Sequence, residues 1–416
     1  MMRHFLKHFV EYIDRGDDMK LTNGQLFWPE TTTEFETPTQ SLNAHYDVIV
    51  IGAGMSGVLC AYELQKRGLA VLIVDQRTVA AGSTSANTGL LQYSNDIMLS
   101  ELIEQIGEED AVQFYRMCVN AMHELTDLAK SLRENTDYIE RPSIYYASSD
   151  EDVPRLQQNY EALKKHGFAV EYWDEVEMGK HLPFTAKAAL KTYGDAEVNP
   201  VKFAQAVCRA SGAHVLPHCF VDDVESERHI VRMKTSAGEF TAKAVIHASG
   251  YEAPVEGKRH GAKINRSYVV VTEPIDVSSW YEQALIWETA RPYLYMRTTV
   301  DHRMIIGGLD EEIATPPSEE KNAQHAETLL KKASSLFPQF DLRAAYIYGA
   351  TFGESADNLP FIGEHETKRG QYYLLGYGGN GTVYSMIGSK ILADLIEGKP
   401  NDDARIVTLS RPMGVD

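Results

Sequence analysis

The stretch Tyr46–Asp75 reads YDVIVIGAGMSGVLCAYELQKRGLAVLIVD, and its punctuation decides the fold. Val48-Ile49-Val50-Ile51 is a short β-branched run of the kind buried on both faces of a parallel sheet. Gly52-Ala53-Gly54-Met55-Ser56-Gly57 follows as G-x-G-x-x-G, then a helical segment to about Arg67 that Gly68 ends. Val71-Leu72-Ile73-Val74 makes a second buried strand, stopping at Asp75, 23 residues past Gly52. Gly52 allows the tight turn, Gly54 lets the backbone approach a pyrophosphate, and Gly57 lets helix and strand pack closely. Met55 and Ser56 open the helix, whose unpaired N–H groups and dipole favour the anion. Asp75 is placed to hydrogen-bond a ribose hydroxyl. A lone glycine triplet arises by chance; strand, glycines, helix, glycine, strand and acid in register predict a dinucleotide-binding unit. Arg77 would suit the 2′-phosphate of NADP, but the acid at the ribose position opposes that reading.

The 416 residues suggest two or three domains, and 44% hydrophobic content is ordinary for a chain with a sizeable core. A formal net charge of −19 argues against nucleic acid and anionic membrane as main partners. Cys60, Cys118, Cys208 and Cys219 are scattered without a C-x-x-C, as expected of buried thiols in a reducing compartment. No apolar run approaches the ~18 residues of a membrane helix. The N-terminus, MMRHFLKHFVEYIDRGDDMK, alternates apolar and charged residues at helical spacing and lacks a signal peptide's apolar core. It reads as an amphipathic helix docked on the body or on a partner. A cytoplasmic location and the absence of a metal site are expected.

Residues 21–45 are Thr-rich with two prolines, an extended lead-in whose Phe27, Trp28 and Phe35 would tack it onto the surface. From Gln76 to Asp96, Gly82-Ser83-Thr84-Ser85 and Asn87-Thr88-Gly89 concentrate small polar side chains. A flexible linker has that composition too. Its position suits wrapping the far half of a dinucleotide, and Leu90-Leu91 suggests burial. Helical periodicity runs from about Leu99 to Arg133, and Asn199-Pro200 opens a helix to about Ser211. Short strands lead to one ending Ala248-Ser249-Gly250, and from Lys263 to Leu309 consecutive strands imply an antiparallel sheet. A helix over 318–336, strands over 343–352 and 372–377, and a helix over 381–397 complete the chain. The expected fold is α/β (α+β overall), with a Rossmann-like domain from 44–135, 196–255 and 350–400. A substrate domain, 136–195 and 256–349, is inserted in it; an N-terminal helix and arm (1–43) and a C-terminal tail (401–416) flank the two.

Near the C-terminus, Leu374-Leu375-Gly376-Tyr377-Gly378-Gly379-Asn380-Gly381-Thr382 is again strand, glycines and helix start, shortly after Asp357-Asn358-Leu359-Pro360-Phe361-Ile362-Gly363. Together these motifs resemble the FAD-dependent D-amino-acid oxidase superfamily, which includes glycine oxidase, sarcosine oxidase and γ-glutamylputrescine oxidoreductase. The resemblance spans about residues 44–400. It implies that Gly52, Gly54, Met55, Ser56 and Gly57 hold the FAD pyrophosphate, with Asp75, Gln76 and Arg77 at the adenosine ribose. Ser83, Thr84, Ser85, Asn87, Thr88, Gly89 and Leu90 would follow the ribityl chain, and Ser249 and Gly250 would close the sheet end. Gly378, Gly379, Asn380, Gly381 and Thr382 would aim a helix N-terminus at the flavin pyrimidine edge, where reduced flavin carries negative charge. Departures from the family pattern are informative. No cysteine follows Cys219 and no histidine stands between 76 and 96, so FAD held without a covalent tether is expected. The carboxylate-binding arginine of glycine oxidases falls on Phe352 here, and the oxygen-activating lysine of some sarcosine oxidases on Ile305.

The resemblance also implies that the substrate C–H delivers hydride to flavin N5 while the protein orients an uncharged amine, so no conspicuous nucleophile is required. The segment Trp287–Arg297 is the candidate roof, and alternation puts Tyr293, Tyr295 and Arg297 on one face. They would cage an amine and grip a carboxylate, or else form an exposed sheet face; Tyr268 and Arg266 are a second candidate pair. The expected activity is oxidation of the C–N bond of an amine or amino acid to an imine that water hydrolyses. Alternatives are a dehydrogenase passing electrons to a quinone or protein carrier instead of dioxygen, and an FAD-binding sensor without turnover.

Overall fold

The structure, a computed structural model, describes residues 21–252, 263–313 and 316–411. The helix expected over residues 1–20 lies outside them.

Two sheets organise the described chain. In the first, the buried runs His45–Ile51 and Val71–Val74 pair in parallel, flanked by His214–Leu216 on one side and Gly238–His247 on the other. Gln371–Leu375 adds in parallel beside Gly238–His247, and Phe361–Glu364 closes that edge antiparallel. Sequence-distant strands thus sit side by side, so the N-terminal β-α-β unit and the C-terminal glycine cluster share one sheet. The Met55–Lys66 helix starts directly after the first strand and packs against the Gly381–Ile396 and Pro200–Ser211 helices. Asn199 caps the last of these, its side-chain oxygen accepting from the Lys202 N–H at 3.1 Å, with Pro200 in the first turn.

Gly57 is what permits the close approach. A Cβ there would overlap the Gly52 carbonyl oxygen, and Gly52 itself has φ +112° with Ala248 pressed against it. Only a residue without a side chain tolerates that backbone at Gly52.

The second sheet has ten strands. Thr22–Gly24, Ala344–Glu354, Lys263–Thr272, Met304–Glu311, Leu294–Thr298, Leu285–Glu288, Ile139–Tyr146, Ala188–Glu197 and Leu90–Leu91 lie in that order, with Val170–Asp174 also on Ala188–Glu197. It departs from the expected antiparallel sheet at one junction, where Leu285–Glu288 runs parallel to Ile139–Tyr146. The boundary placed between 349 and 350 falls inside Ala344–Glu354, which pairs with Lys263–Thr272 as far as Glu354. One face of this sheet, including Trp287, Ile305 and Tyr348, shares a hydrophobic core with the first sheet's helices. The other, with Tyr268, Val270 and Ile306, is covered by the Glu319–Leu336 helix through Ala326 and Leu329.

Two further expectations change. The helix foreseen from Leu99 to Arg133 is two, Leu99–Ile106 and Glu108–Ser131, broken at Gly107 with φ +89°. The arm over 21–45 is not a surface attachment, because Phe27, Trp28 and Phe35 are buried in the main core.

Gly57→Val forces helix and strand apart. We expect it to lower unfolding stability by about 3 kcal/mol and to leave purified protein depleted of its cofactor, as read by denaturant titration and the ratio of visible to ultraviolet absorbance.

Candidate active site

Between the two sheets lies a continuous cavity of about 560 Å³. Gly52, Gly54, Met55 and Ser56 form one wall, where the first sheet delivers a helix N-terminus. Asp75, Gln76 and Arg77 line one end, with Ser249 and Gly250 at the neighbouring strand end. Asp75 is fixed by two backbone donors: the Ala53 N–H at 2.6 Å to Oδ2 and the Arg77 N–H at 2.7 Å to Oδ1. Ser83, Thr84, Asn87, Thr88 and Leu90 run along the cavity. Thr84 joins loop to helix, its Oγ1 accepting from the Met55 N–H at 2.9 Å. Gly378, Gly379, Asn380, Gly381 and Thr382 line the opposite end, where the Gly381–Ile396 helix begins. The two helices meet through a hydrogen bond between Ser56 Oγ and Ser385 Oγ at 2.8 Å.

Three predicted cofactor residues do not face the cavity and shape it from behind. Gly57 packs on Gly52, and Ser85 is buried with its hydroxyl donating to the Gly82 carbonyl at 2.8 Å. Gly89 receives no cavity exposure; its N–H donates to Asn87 Oδ1 at 2.7 Å, and the Arg297 guanidinium lies against it.

The second sheet roofs the cavity. Tyr293, Tyr295, Trp287 and Ser267 line it, with Phe352 beside them. Tyr293 and Tyr295 lie with ring centroids 5.6 Å apart, and Gly307 makes room for Tyr295, whose ring a Cβ there would strike. Burial pushes the Tyr295 hydroxyl up to about 12, so it is a neutral donor.

Two candidate catalytic residues are placed elsewhere. Arg297 does share a face with Tyr295, but it is 2% exposed and lies deeper, under the loop. Its guanidinium donates to the carbonyls of Thr88 (2.7 Å), Thr298 (2.9 Å) and Val198 (2.8 Å), with Glu197 at 3.8 Å and the Trp28 ring 5.1 Å away. Burial pulls it down to about 10, so it remains a cation at neutral pH. It cannot grip a substrate carboxylate while so engaged; it anchors the loop that lines the cavity. Trp28 takes part, its indole N–H donating to the Asn87 carbonyl at 2.6 Å. Tyr268 faces the covering helix, its hydroxyl donating to Glu311 Oε2 at 2.6 Å and its ring stacked on His325. Arg266, fully buried, points the same way, with Nη1 3.4 Å from Asn23 Oδ1.

Sequence reasoning missed the acidic surroundings of the roof. Asp96 lines the cavity and accepts from the Gly379 N–H at 3.1 Å. Asp310 and Glu354 stand close by; burial, reinforced by the Asp96 carboxylate, pushes them up to about 6 and about 7. The Asn265 amide donates to Glu354 Oε2 at 2.7 Å. Asp96 carries a readable signal, since it ends the polar loop; Asp310 and Glu354 carry none.

A long cavity between two helix N-termini, with a carboxylate at one end and an aromatic roof at the other, defines a dinucleotide-binding oxidoreductase. The family model described as FAD dependent oxidoreductase (DAO) matches residues 47–395, and the chain belongs to that family. It is 27% identical to glycine oxidase of Geobacillus kaustophilus over 385 residues, covering 89% of this chain and 98% of that one. It is 23% identical to γ-glutamylputrescine oxidoreductase of Escherichia coli over 382 residues, 88% and 86% of the two chains. The crystal structure of the Geobacillus kaustophilus glycine oxidase superposes with a TM-score of 0.76 at 24% identity, covering 89% of this chain and all of that one. The protein is an FAD-dependent oxidoreductase, and its glycine-walled cavity fits that cofactor.

Two outcomes follow. Arg297→Met removes the donor to the Thr88, Val198 and Thr298 carbonyls, while Glu197 keeps Arg141 at 3.1 Å; it is expected to cost about 3 kcal/mol of stability through those unpaired carbonyls and weaken FAD retention, measured by chemical denaturation and equilibrium dialysis. His247, buried near the cavity with Nε2 3.0 Å from Gln371 Oε1, is pushed by burial from 6.5 down to about 4. As pH falls from about 6.5 to about 4 the unfolded chain takes up this proton and the folded one does not, so His247 removes up to about 3 kcal/mol of stability. A His247→Gln variant should show a correspondingly flatter loss of denaturant midpoint over that range.

Proposed function

We propose that this chain oxidises the C–N bond of an amine or amino acid to an imine, which water then hydrolyses. The observation that carries this reading is the convergence of the Gly381–Ile396 helix N-terminus and the Tyr293–Tyr295 roof on one end of a single cavity. FAD bound there supplies the hydride acceptor. The chain's own contribution is position and field. Tyr293, Tyr295 and Trp287 form an apolar, π-rich roof that excludes water and holds an amine in place. The Gly378–Thr382 turn offers backbone donors and a positive helix end, which favour negative charge developing at that end of the cavity.

The cofactor is held without a covalent bond in this reading. Cys219 lines the cavity near Asp75 and Arg77, far along the chain from the Gly378–Thr382 turn, and the other cysteines are buried in the core. The electron acceptor is either dioxygen or a carrier. The position aligned with an oxygen-activating lysine is Ile305, fully buried and apolar, which favours a carrier. Among the described residues no helix is long and apolar enough to cross a membrane. Four unpaired, buried cysteines accord with a reducing, cytoplasmic setting.

Anaerobic addition of the correct amine should bleach the ~450 nm flavin band with release of the matching carbonyl compound. A broad panel of amines and amino acids that leaves the band intact would make the chain a sensor. Readmitted air giving stoichiometric peroxide marks an oxidase; slow reoxidation with rapid quinone reduction marks a dehydrogenase. Gly381→Asp, which places a negative charge at the helix start beside Tyr377, should abolish flavin binding or turnover.

A further inference from the structure

The cavity does not stop at Asp75. It continues along Cys219, Phe220 and Val221, the segment that leaves the edge strand His214–Leu216 of the first sheet. Backbone pairing lays that segment alongside the ribose end. The Asp75 N–H donates to the Leu216 carbonyl at 3.1 Å, the Cys219 N–H to the Asp75 carbonyl at 2.9 Å, and the His218 N–H to the Arg77 carbonyl at 3.1 Å. Phe220 is therefore the first residue past the bonds that tie this segment to Asp75.

Cys219 is buried with Leu72 and Val74. Phe220 is 54% exposed and belongs to none of the hydrophobic clusters among the described residues. One exposed phenylalanine is ordinary by itself. Two further observations set this one apart. It lines the cavity, and its backbone is held on both sides. The Phe220 N–H donates to Ser236 Oγ at 3.1 Å, and the Ser236 N–H donates to the Phe220 carbonyl at 2.9 Å. The ring thus springs from a fixed point at the edge of the cavity, with half its area uncovered, and forgoes the burial an aromatic side chain ordinarily gains.

Chemistry sets the order of the cofactor's parts along this cavity. The pyrophosphate belongs on the start of the Met55–Lys66 helix and the ribose on Asp75, so the group of FAD left for the space past Asp75 is adenine. Adenine is a flat π surface that an aromatic ring stacks upon without any charge being needed.

We propose that Phe220 is the platform on which adenine lies, and that it makes the cavity prefer FAD to FMN. Adenine covers the exposed ring, and the ring keeps water off one face of the base. FMN ends at its single phosphate and has nothing to place there. The inference concerns the choice of cofactor and holds whichever amine is oxidised and whatever accepts the electrons.

The test uses the full-length chain, freed of flavin and titrated with FAD and with FMN by equilibrium dialysis. Loss of a base–aromatic stack predicts that Phe220→Ala weakens FAD by about five- to 150-fold and leaves FMN unchanged. Phe220→Tyr, which keeps the ring, should restore FAD binding. Denaturant midpoints of the flavin-free variants should match that of the parent, because the ring lies outside the core. If FMN binds too weakly to titrate, ADP takes its place and should lose the same factor as FAD. Unchanged affinity for FAD in Phe220→Ala, equal weakening of FAD and FMN, ADP unaffected where FAD is weakened, or failure of Phe220→Tyr to restore binding would each overturn the proposal.

Discussion

The contact between the Gly52 carbonyl and Gly57 is the constraint on which the rest of this structure depends. It fixes how near the Met55–Lys66 helix comes to the sheet, and so where the helix N-terminus points. From there the consequences are geometric. The Met55 N–H meets Thr84, which sets the start of the 83–90 loop along the cavity. Ser56 meets Ser385, which sets the second helix beside the first. One additional methyl group at Gly57 would displace all three. The dinucleotide cavity is therefore a by-product of backbone packing, and few of its walls depend on the chemistry of a side chain.

The roof is located by a different device. Arg297 is a buried cation, and burying a charge is unfavourable unless its donors are satisfied. Here three carbonyls from three separate segments, Thr88, Val198 and Thr298, accept from it, and Glu197 supplies the compensating charge. One side chain thus joins the cofactor loop, the strand before the Pro200–Ser211 helix, and the roof sheet. Trp28 adds the N-terminal arm to the same junction. At the active-site end four pieces of chain share a single polar knot.

How far the sequence reveals this depends on how local each signal is. The β-α-β unit and the second glycine turn were legible because strand, turn and helix start are written within about thirty residues. Tyr293 and Tyr295 were also legible, since alternation tells which residues share a face. Alternation does not tell how deep a residue lies, which is why Arg297 looked like a substrate clamp. Nor does it tell which face a later helix covers. Tyr268 and Arg266 face the Glu319–Leu336 side, and nothing in INRSYVVVT records that helix. Asp310 was hidden by the pairing shift beside Ser267, which breaks the simple period of two. The arm's burial was invisible because Trp28 is ordered by Arg297 and Asn87, both distant in sequence.

The Ser56–Ser385 hydrogen bond joins residues 329 apart in the chain. The chain must therefore be made at least through Ser385 before the second wall of the cavity exists. Until then the first glycine turn has nothing opposite it, and coenzyme capture waits for the Gly381–Ile396 helix. Closing so long a loop is slow relative to local helix formation, so the two walls come together only after each helix has formed.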